Sequence, residues 1–296
     1  MELRVLRYFL LAAREENMTR AAELLHVTQP TLSRQLMQLE QELGTKLFHR
    51  GQHSITLTDD GMLLRRRAQE LIDLAEKTER EFVKTEGSLT GELSIGSGET
   101  LSMHTLSQWI AAFRKDNPLV QYNIYSATAD EVKDRIEKGI LDMGLLVGPV
   151  DISRYEFIRM PRKERWGVLV PKTSPLSAYP HVTPADLAQT PLWIAERNQV
   201  RNELRGWFGN VYDSLEIVGT FNLLYNAAVM AENGVGAVLC MEHDKNYENL
   251  QFVPLLPTLE TGAVLVWKKH QSCSAAAARF FAHVQECAGR MADDTI

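Results

Sequence analysis

The sequence predicts a multidomain chain: a small, mainly α N-terminal head, a long linker helix, and a C-terminal α/β half with two lobes. Three observations predict it. The length of 296 residues suits two or three domains rather than one small module. The N-terminal stretch packs several short helical periodicities between capping residues. Beyond Gly87, strand and helix patterns alternate, as they do in α/β folds.

Val5, Leu6, Phe9, Leu10 and Ala13 form the apolar stripe of a first helix. In "NMTRAAELLHV", Asn17 is placed to cap a short second helix whose Ala21, Ala22, Leu24 and Leu25 pack closely. His26 and Val27 make a short connection. In "HVTQPTLSRQLMQLEQELG", Leu32, Leu36, Leu39 and Leu43 then fall on one face of a third helix. Thr28 is its N-cap, Pro30 is tolerated in the first turn, and Gly44 ends it. Gln29, Thr31, Ser33, Arg34 and Gln35 occupy the other faces. Polar residues at a helix start are also ordinary capping and solvation; the flanks decide. Two helices joined by a tight turn, the first rich in alanine, are the helix-turn-helix pattern. After Gly44, "TKLFHRGQHSITLTDDG" predicts a small hairpin, or wing, with a turn at Arg50, Gly51 and Gln52 and a strand holding Ile55 and Leu57.

These residues carry a resemblance. Phe9, "TRAAELLHVTQPTLSRQLMQLEQELGTKLFHR" and "LTDDG" resemble the winged helix-turn-helix of LysR-type transcriptional regulators, from Met1 to about Gly61. The resemblance implies a bacterial, dimeric or tetrameric regulator whose effector domain controls DNA binding. Its implied partners are a double-stranded DNA operator and further copies of itself, with RNA polymerase as another candidate. Thr28, Gln29, Pro30, Thr31, Ser33, Arg34 and Gln35 are then the DNA-binding candidates, joined by Arg50 and His53 of the wing. Gln pairs bidentately with adenine, and Arg with guanine or phosphate. The wing departs from the family pattern, because Gln52, His53 and Ser54 stand where further Arg or Lys is common. Fewer phosphate contacts are expected there.

Charge agrees with specific rather than indiscriminate binding. The formal net charge is −6, whereas a basic body is the usual footprint of nucleic-acid binding. Residues 1–58 hold Arg4, Arg7, Arg14, Arg20, Arg34, Lys46 and Arg50 against Glu2, Glu15, Glu16, Glu23, Glu40 and Glu42. A nearly neutral head must rely on geometry and on more than one copy. Glu2, Arg4 and Arg7 make the first residues an amphipathic helix rather than a signal peptide. No run approaches the roughly 18–20 apolar residues of a membrane span. Cys240, Cys273 and Cys287 show no paired or metal-type spacing, which fits a reducing cytoplasm. The histidines are scattered, no HExxH, GxSxG or Walker motif occurs, and "GSG" at Gly96–Gly98 is too short to signal a nucleotide. No enzyme activity, metal or cofactor is expected.

From Asp60 to Glu86 only Gly61, at the start, opposes a helix, and Asp59 and Asp60 suit its N-terminus. Leu64, Ala68, Leu71, Ala75, Thr78 and Phe82 are spaced as a heptad seam. The expected role is dimerisation; a helix lying on its own domain is the alternative. Arg65, Arg66 and Arg67 either touch the DNA backbone or form a solvated face.

Gly87 is expected to stop the helix, Ser88–Gly91 to act as a joint, and Leu93 and Ile95 to begin a strand. "VQYNIYSA", a helix over Asp130–Lys138, "DMGLLVG", "WGVLVP", "PLWIAE", "GAVLC" and "AVLVWKK" follow, read as mostly parallel sheets. The expected domains are a winged helix-turn-helix over 1–58, a linker and dimerisation helix over 59–87, and a regulatory domain over 88–296. Lobe I spans about 92–162 and 268–296, and lobe II about 163–267. The last helix, Ser274–Gly289, returns to lobe I so that two strands cross. "GELSIGSGET", "GILDMGLL" and "AAVMAENGVGAVLCM" extend the resemblance, which implies a two-lobed, periplasmic-binding-protein-like domain.

Ligands of α/β folds collect outside the carboxyl ends of strands, at helix N-termini. Ser97, Gly98, Thr100, Thr128 and Asn222 stand at such places and are the effector-binding candidates. Ser, Thr and Asn there also cap helices, so each position admits both roles. Glu99 would repel an anion if it faced the cleft, and Arg197 either attracts one or makes a surface ion pair. The expected function is a sequence-specific, DNA-binding transcriptional regulator controlled by a small molecule between the lobes, its identity open. An architectural DNA-binding protein and a small-molecule binding protein without a switch are the alternatives.

Overall fold

The computed structural model describes residues 1–51, 54–82, 88–245, 247–269 and 273–293. Contacts divide the chain into two compact units, Met1–Phe82 and Val83–Ile296. The expected wing residues Gln52 and His53 and the expected helix stop Gly87 lie outside the described residues.

The first unit holds α1 (Leu3–Glu15), α2 (Met18–Leu24), α3 (Gln29–Leu43), the hairpin strands β1 (Phe48–Arg50) and β2 (Ile55–Leu57), and α4 (Asp59–Glu81). One core gathers Leu6 and Phe9 of α1, Ala21 and Ala22 of α2, and Leu32, Leu36 and Leu39 of α3. Thr28 caps α3 by accepting the Thr31 N–H at 3.4 Å, and Gly44 ends it at φ +69°. Such a left-handed C-cap favours glycine. Gly61 answers a different need. A Cβ there would meet the Leu47 carbonyl oxygen at 2.1 Å, so glycine lets the start of α4 press against that backbone. Leu24 and Leu43 depart from the apolar stripes: they are 50% and 42% exposed. Each is the last residue of its helix, where the chain leaves the core.

The seam expected along α4 is split between adjacent faces. Leu64 and Ala68 pack into the head's own core beside Ile72, and Ala75 is half-buried. Leu71 and Phe82 are 40% and 77% exposed, and Leu63 and Leu74 are exposed with them. The cause is α1, which lies along one stripe of α4 and ties to it through an Arg7–Glu76 ion pair at 3.4 Å.

The second unit runs β3 (Gly91–Ser97), α5 (Met103–Asp116), β4 (Val120–Ser126), α6 (Ala129–Glu137), β5 (Met143–Val147), β6 (Tyr155–Pro171), α7 (Pro184–Leu187), β7 (Leu192–Ala195), α8 (Asn198–Phe208), β8 (Ile217–Phe221), α9 (Leu224–Glu232), β9 (Ala237–Met241), β10 (Leu250–Pro254), β11 (Glu260–Lys268) and α10 (Ala275–Asp293). The strand order is β4-β3-β5-β11-β6-β9-β7-β8, with β10 also on β6. β3 pairs in parallel with β4 and β5, and β7 with β8 and β9. The remaining pairs, β11 with β5 and β6, and β6 with β9 and β10, are antiparallel. The sheet is therefore mixed, not mostly parallel, because β6 and β11 run between the lobes in opposite senses. α10 completes the first lobe's core, placing Ala276, Phe280 and Val284 against Leu93, Ile95 and Phe113. The second lobe's core is built on Val168, Leu192, Ile194, Leu204 and Leu239. Among the described residues no helix is long and apolar enough to cross a membrane.

Candidate functional site

In the first unit, the leucines that dock α3 leave its opening turns free. Thr28, Gln29, Pro30 and Arg34 are exposed, and Thr31 and Gln35 are half-buried. The Thr28 and Thr31 hydroxyls share a hydrogen bond of 2.8 Å. Ser33 departs from the expectation that it reaches DNA. It is buried, and its Oγ accepts from Arg50 Nη1 at 3.2 Å. Ser33 thus ties α3 to the wing, and Arg50, exposed at the end of β1, is held from behind.

Sequence reasoning missed Glu40. Its buried carboxylate accepts the N–H groups of Leu47 at 2.9 Å and Phe48 at 3.4 Å, and Lys46 Nζ at 3.0 Å. Burial by itself raises this carboxyl, but those donors outweigh it and hold it below the usual glutamate range. The one signal was its position: four residues after Leu36, a charge interrupts the apolar stripe.

In the second unit, a cleft partly open to solvent lies between the lobes, enclosing about 750 Å³ of space when the adjoining open solvent is counted. Of the expected residues, Gly98, Thr128 and Asn222 line it. Ser97 and Thr100 do not. Both are buried; Ser97 Oγ donates to the Gly98 carbonyl at 2.8 Å, and Thr100 Oγ1 donates to the Glu164 carboxylate. Glu164, fully buried in β6, also accepts Leu101 N–H at 3.1 Å, Ser102 N–H at 3.0 Å and Ser102 Oγ at 2.6 Å. These polar groups fix the start of α5 rather than wait for a ligand. Thr128 forms a capping box with Glu131, its hydroxyl donating at 2.8 Å. Asn222 Oδ1 accepts the next residue's N–H at 2.9 Å.

Two side chains bridge the lobes at the cleft. Glu99, from the first lobe, accepts the Leu224 N–H that opens α9 in the second. Arg197, from the second lobe, donates to both oxygens of Asp130 at 3.1 and 3.4 Å and to the carbonyls of Val147 at 3.4 Å and Pro149 at 3.1 Å. The Arg197 side chain is 11% exposed and that of Asp130 50%, so the cation is covered while its partner is open to solvent. The rest of the wall is largely apolar, with Trp166, Val200, Phe221, Cys240 and Met241. Burial, with the charge of Glu99 second, pushes the Cys240 thiol up to about 12.

Comparisons with known proteins agree across both units. Residues 3–62 match the family model described as bacterial regulatory helix-turn-helix protein, lysR family, and residues 86–288 match the LysR substrate binding domain. The Hca operon transcriptional activator HcaR of Escherichia coli (strain K12) is 28% identical over 298 residues, covering 97% of this chain and 98% of that protein. The uncharacterized HTH-type transcriptional regulator YnfL of the same strain is 27% identical over 295 residues, covering 96% and 98%. Among solved structures, CbnR, a LysR family transcriptional regulator, shares the fold at a TM-score of 0.78 with 22% identity, covering 97% of this chain and 99% of that one. Full-length CbnR complexed with its target DNA gives a TM-score of 0.75 with 23% identity over the same shares.

Proposed function

Because this chain belongs to the LysR family of bacterial transcriptional regulators, we propose that α3 reads its operator through Gln29, Thr31 and Arg34 and that a small molecule in the interlobe cleft sets operator affinity. The chain is a DNA-binding regulator with a helix-turn-helix domain and an effector-binding domain. The observation that carries the operator reading is the exposed polar opening of α3, held out by Leu32, Leu36 and Leu39. Thr28 and Pro30 set the entry of that helix, Gln35 flanks it, and Arg50 approaches phosphate from the wing. CbnR, whose fold the chain shares, was captured with its target DNA. Two heads are needed, since one head is nearly neutral. We assign their pairing to the open side of α4, with Leu63, Leu71, Leu74 and Phe82. The effector acts only by its differential affinity for two arrangements, a coupling of about 1–3 kcal/mol in typical cases. The protein works in the cytoplasm and catalyses no reaction.

Footprinting tests the reading. A defined protected site is expected next to a regulated promoter, shortened or lost when Gln29 and Arg34 are both replaced by alanine. Uniform coating of any DNA, unchanged by those substitutions, would support an architectural protein instead.

A further inference from the structure

The polar groups that line the interlobe cleft are unevenly matched. Arg197, the cation among the lining residues, directs Nε, Nη1 and Nη2 to Asp130 and to the carbonyls of Val147 and Pro149. Trp166 Nε1 donates to Thr261 Oγ1 at 2.8 Å, and the Thr128 hydroxyl donates to Glu131. Asn222 keeps its NH2 group at the exposed rim. Two acceptors are left wanting. Glu99 takes one backbone N–H, from Leu224, and no cation pairs with it among the described residues. His243 is the other. Its Nδ1 lies 2.7 Å from the Met241 carbonyl, which can only accept, so Nδ1 carries the proton and Nε2 of the neutral ring is an acceptor. Nε2 is buried and has no hydrogen-bond partner among the described residues.

An anionic ligand fits this wall poorly. The seat it would take, the first N–H of α9, is already filled by the Glu99 carboxylate, and that same charge would repel it. The Glu99 carboxylate lines a cleft whose wall is largely apolar and pairs with no cation among the described residues. A ligand that brings a cation supplies that partner.

We propose that the effector is a protonated amine on an apolar body, its ammonium pairing with Glu99, a donor reaching His243 Nε2, and its body lying against Trp166, Val200 and Phe221. This rests on the reading of the cleft as the effector site. The charge-assisted bond gives the amine its preference, and the apolar wall gives it a share of its affinity.

The test is calorimetric titration of the full-length protein, near neutral pH, with matched probes: primary alkyl and arylalkyl amines, and the alcohols and carboxylates of the same skeletons. Wild type is expected to bind amines more tightly than either counterpart. Glu99→Gln keeps an acceptor for Leu224 but removes the charge, and amine affinity should fall by about tenfold or more, as when a charge-assisted hydrogen bond becomes neutral. His243→Phe should weaken the amines while leaving the fold intact by circular dichroism. Ala195→Trp fills the cleft and should abolish binding of every probe. Carboxylates that outbind amines on wild type, amines that bind Glu99→Gln unchanged, or a panel in which nothing binds would overturn the amine assignment. Binding that survives Ala195→Trp would place the ligand elsewhere, and the cleft reading itself would fall.

Discussion

Replacing Glu40 with alanine should loosen the wing from α3 before it disturbs the rest of the head. The carboxylate is buried and serves Leu47 N–H at 2.9 Å and Phe48 N–H at 3.4 Å. Truncation strands both donors, and a stranded buried donor costs about 1–3 kcal/mol. The longer Phe48 bond belongs at the low end of that range. Lys46 is largely exposed and returns to water, so its share is small. Alanine also removes a buried charge, which offsets part of the loss. The net destabilisation is about 2–3 kcal/mol on these figures. Glu40→Gln keeps an acceptor for Leu47 and should cost about 1 kcal/mol. The pH dependence has a fixed sign. The folded Glu40 carboxyl is held below its ordinary value, so its contribution is present above the unfolded value and is lost as pH falls through the folded one. The gap between wild type and Glu40→Gln should therefore be full near neutrality and shrink as pH falls below the ordinary glutamate value of about 4.3. Amide hydrogen exchange at Leu47 and Phe48, with urea unfolding at several pH values, measures both effects. Unchanged exchange at those amides in Glu40→Ala, or a gap that ignores pH, would refute the reasoning.

Ser33→Ala should lower the head's melting temperature slightly and leave base preference intact, whereas Gln29→Ala should change preference at a defined base pair by about 1–3 kcal/mol, read on operators with single substitutions. Leu71→Lys with Leu74→Lys should convert oligomer to monomer in light scattering without unfolding the head, because both side chains are exposed; Ala68→Lys should unfold it, because that position is fully buried. The Cys240 thiol, buried and pushed up to about 12, should resist a thiol reagent near neutral pH until denaturant is added, while exposed Cys273 reacts at once.

Local periodicity and capping were legible in the sequence. The stripe of α1, the leucines of α3 and the caps at Thr28, Gly44 and Thr128 each depend on neighbours within a turn or two, and a sequence displays those directly. What failed was the choice among partners far along the chain. α4 carries two adjacent apolar stripes, and the heptad spacing runs across both; α1 decides which one the head keeps. Ser33 looked like its exposed neighbours until Arg50, seventeen residues on, claimed its hydroxyl. Thr100 looked like Thr128, a hydroxyl at a strand end, until Glu164 from β6 claimed it. In each case the deciding contact is long in sequence and short in space.

Three glutamates show why the cleft's chemistry needed the structure. Glu40, Glu99 and Glu164 each accept a backbone N–H, and no spacing rule marks any of them. Glu40 is surrounded by donors of its own unit, and Glu164 gathers two amides and two hydroxyls. Both carboxylates are satisfied where they stand, so both are structural. Glu99 has a single amide, from the opposite lobe, and an apolar wall beside it. A ligand that brings a cation into this cleft would give the Glu99 carboxylate a second partner. On the proposal made for the cleft, such a ligand would sit where the two lobes meet, and that would couple its binding to the lobes' arrangement. Glu99 is thus the residue through which a cation would be read.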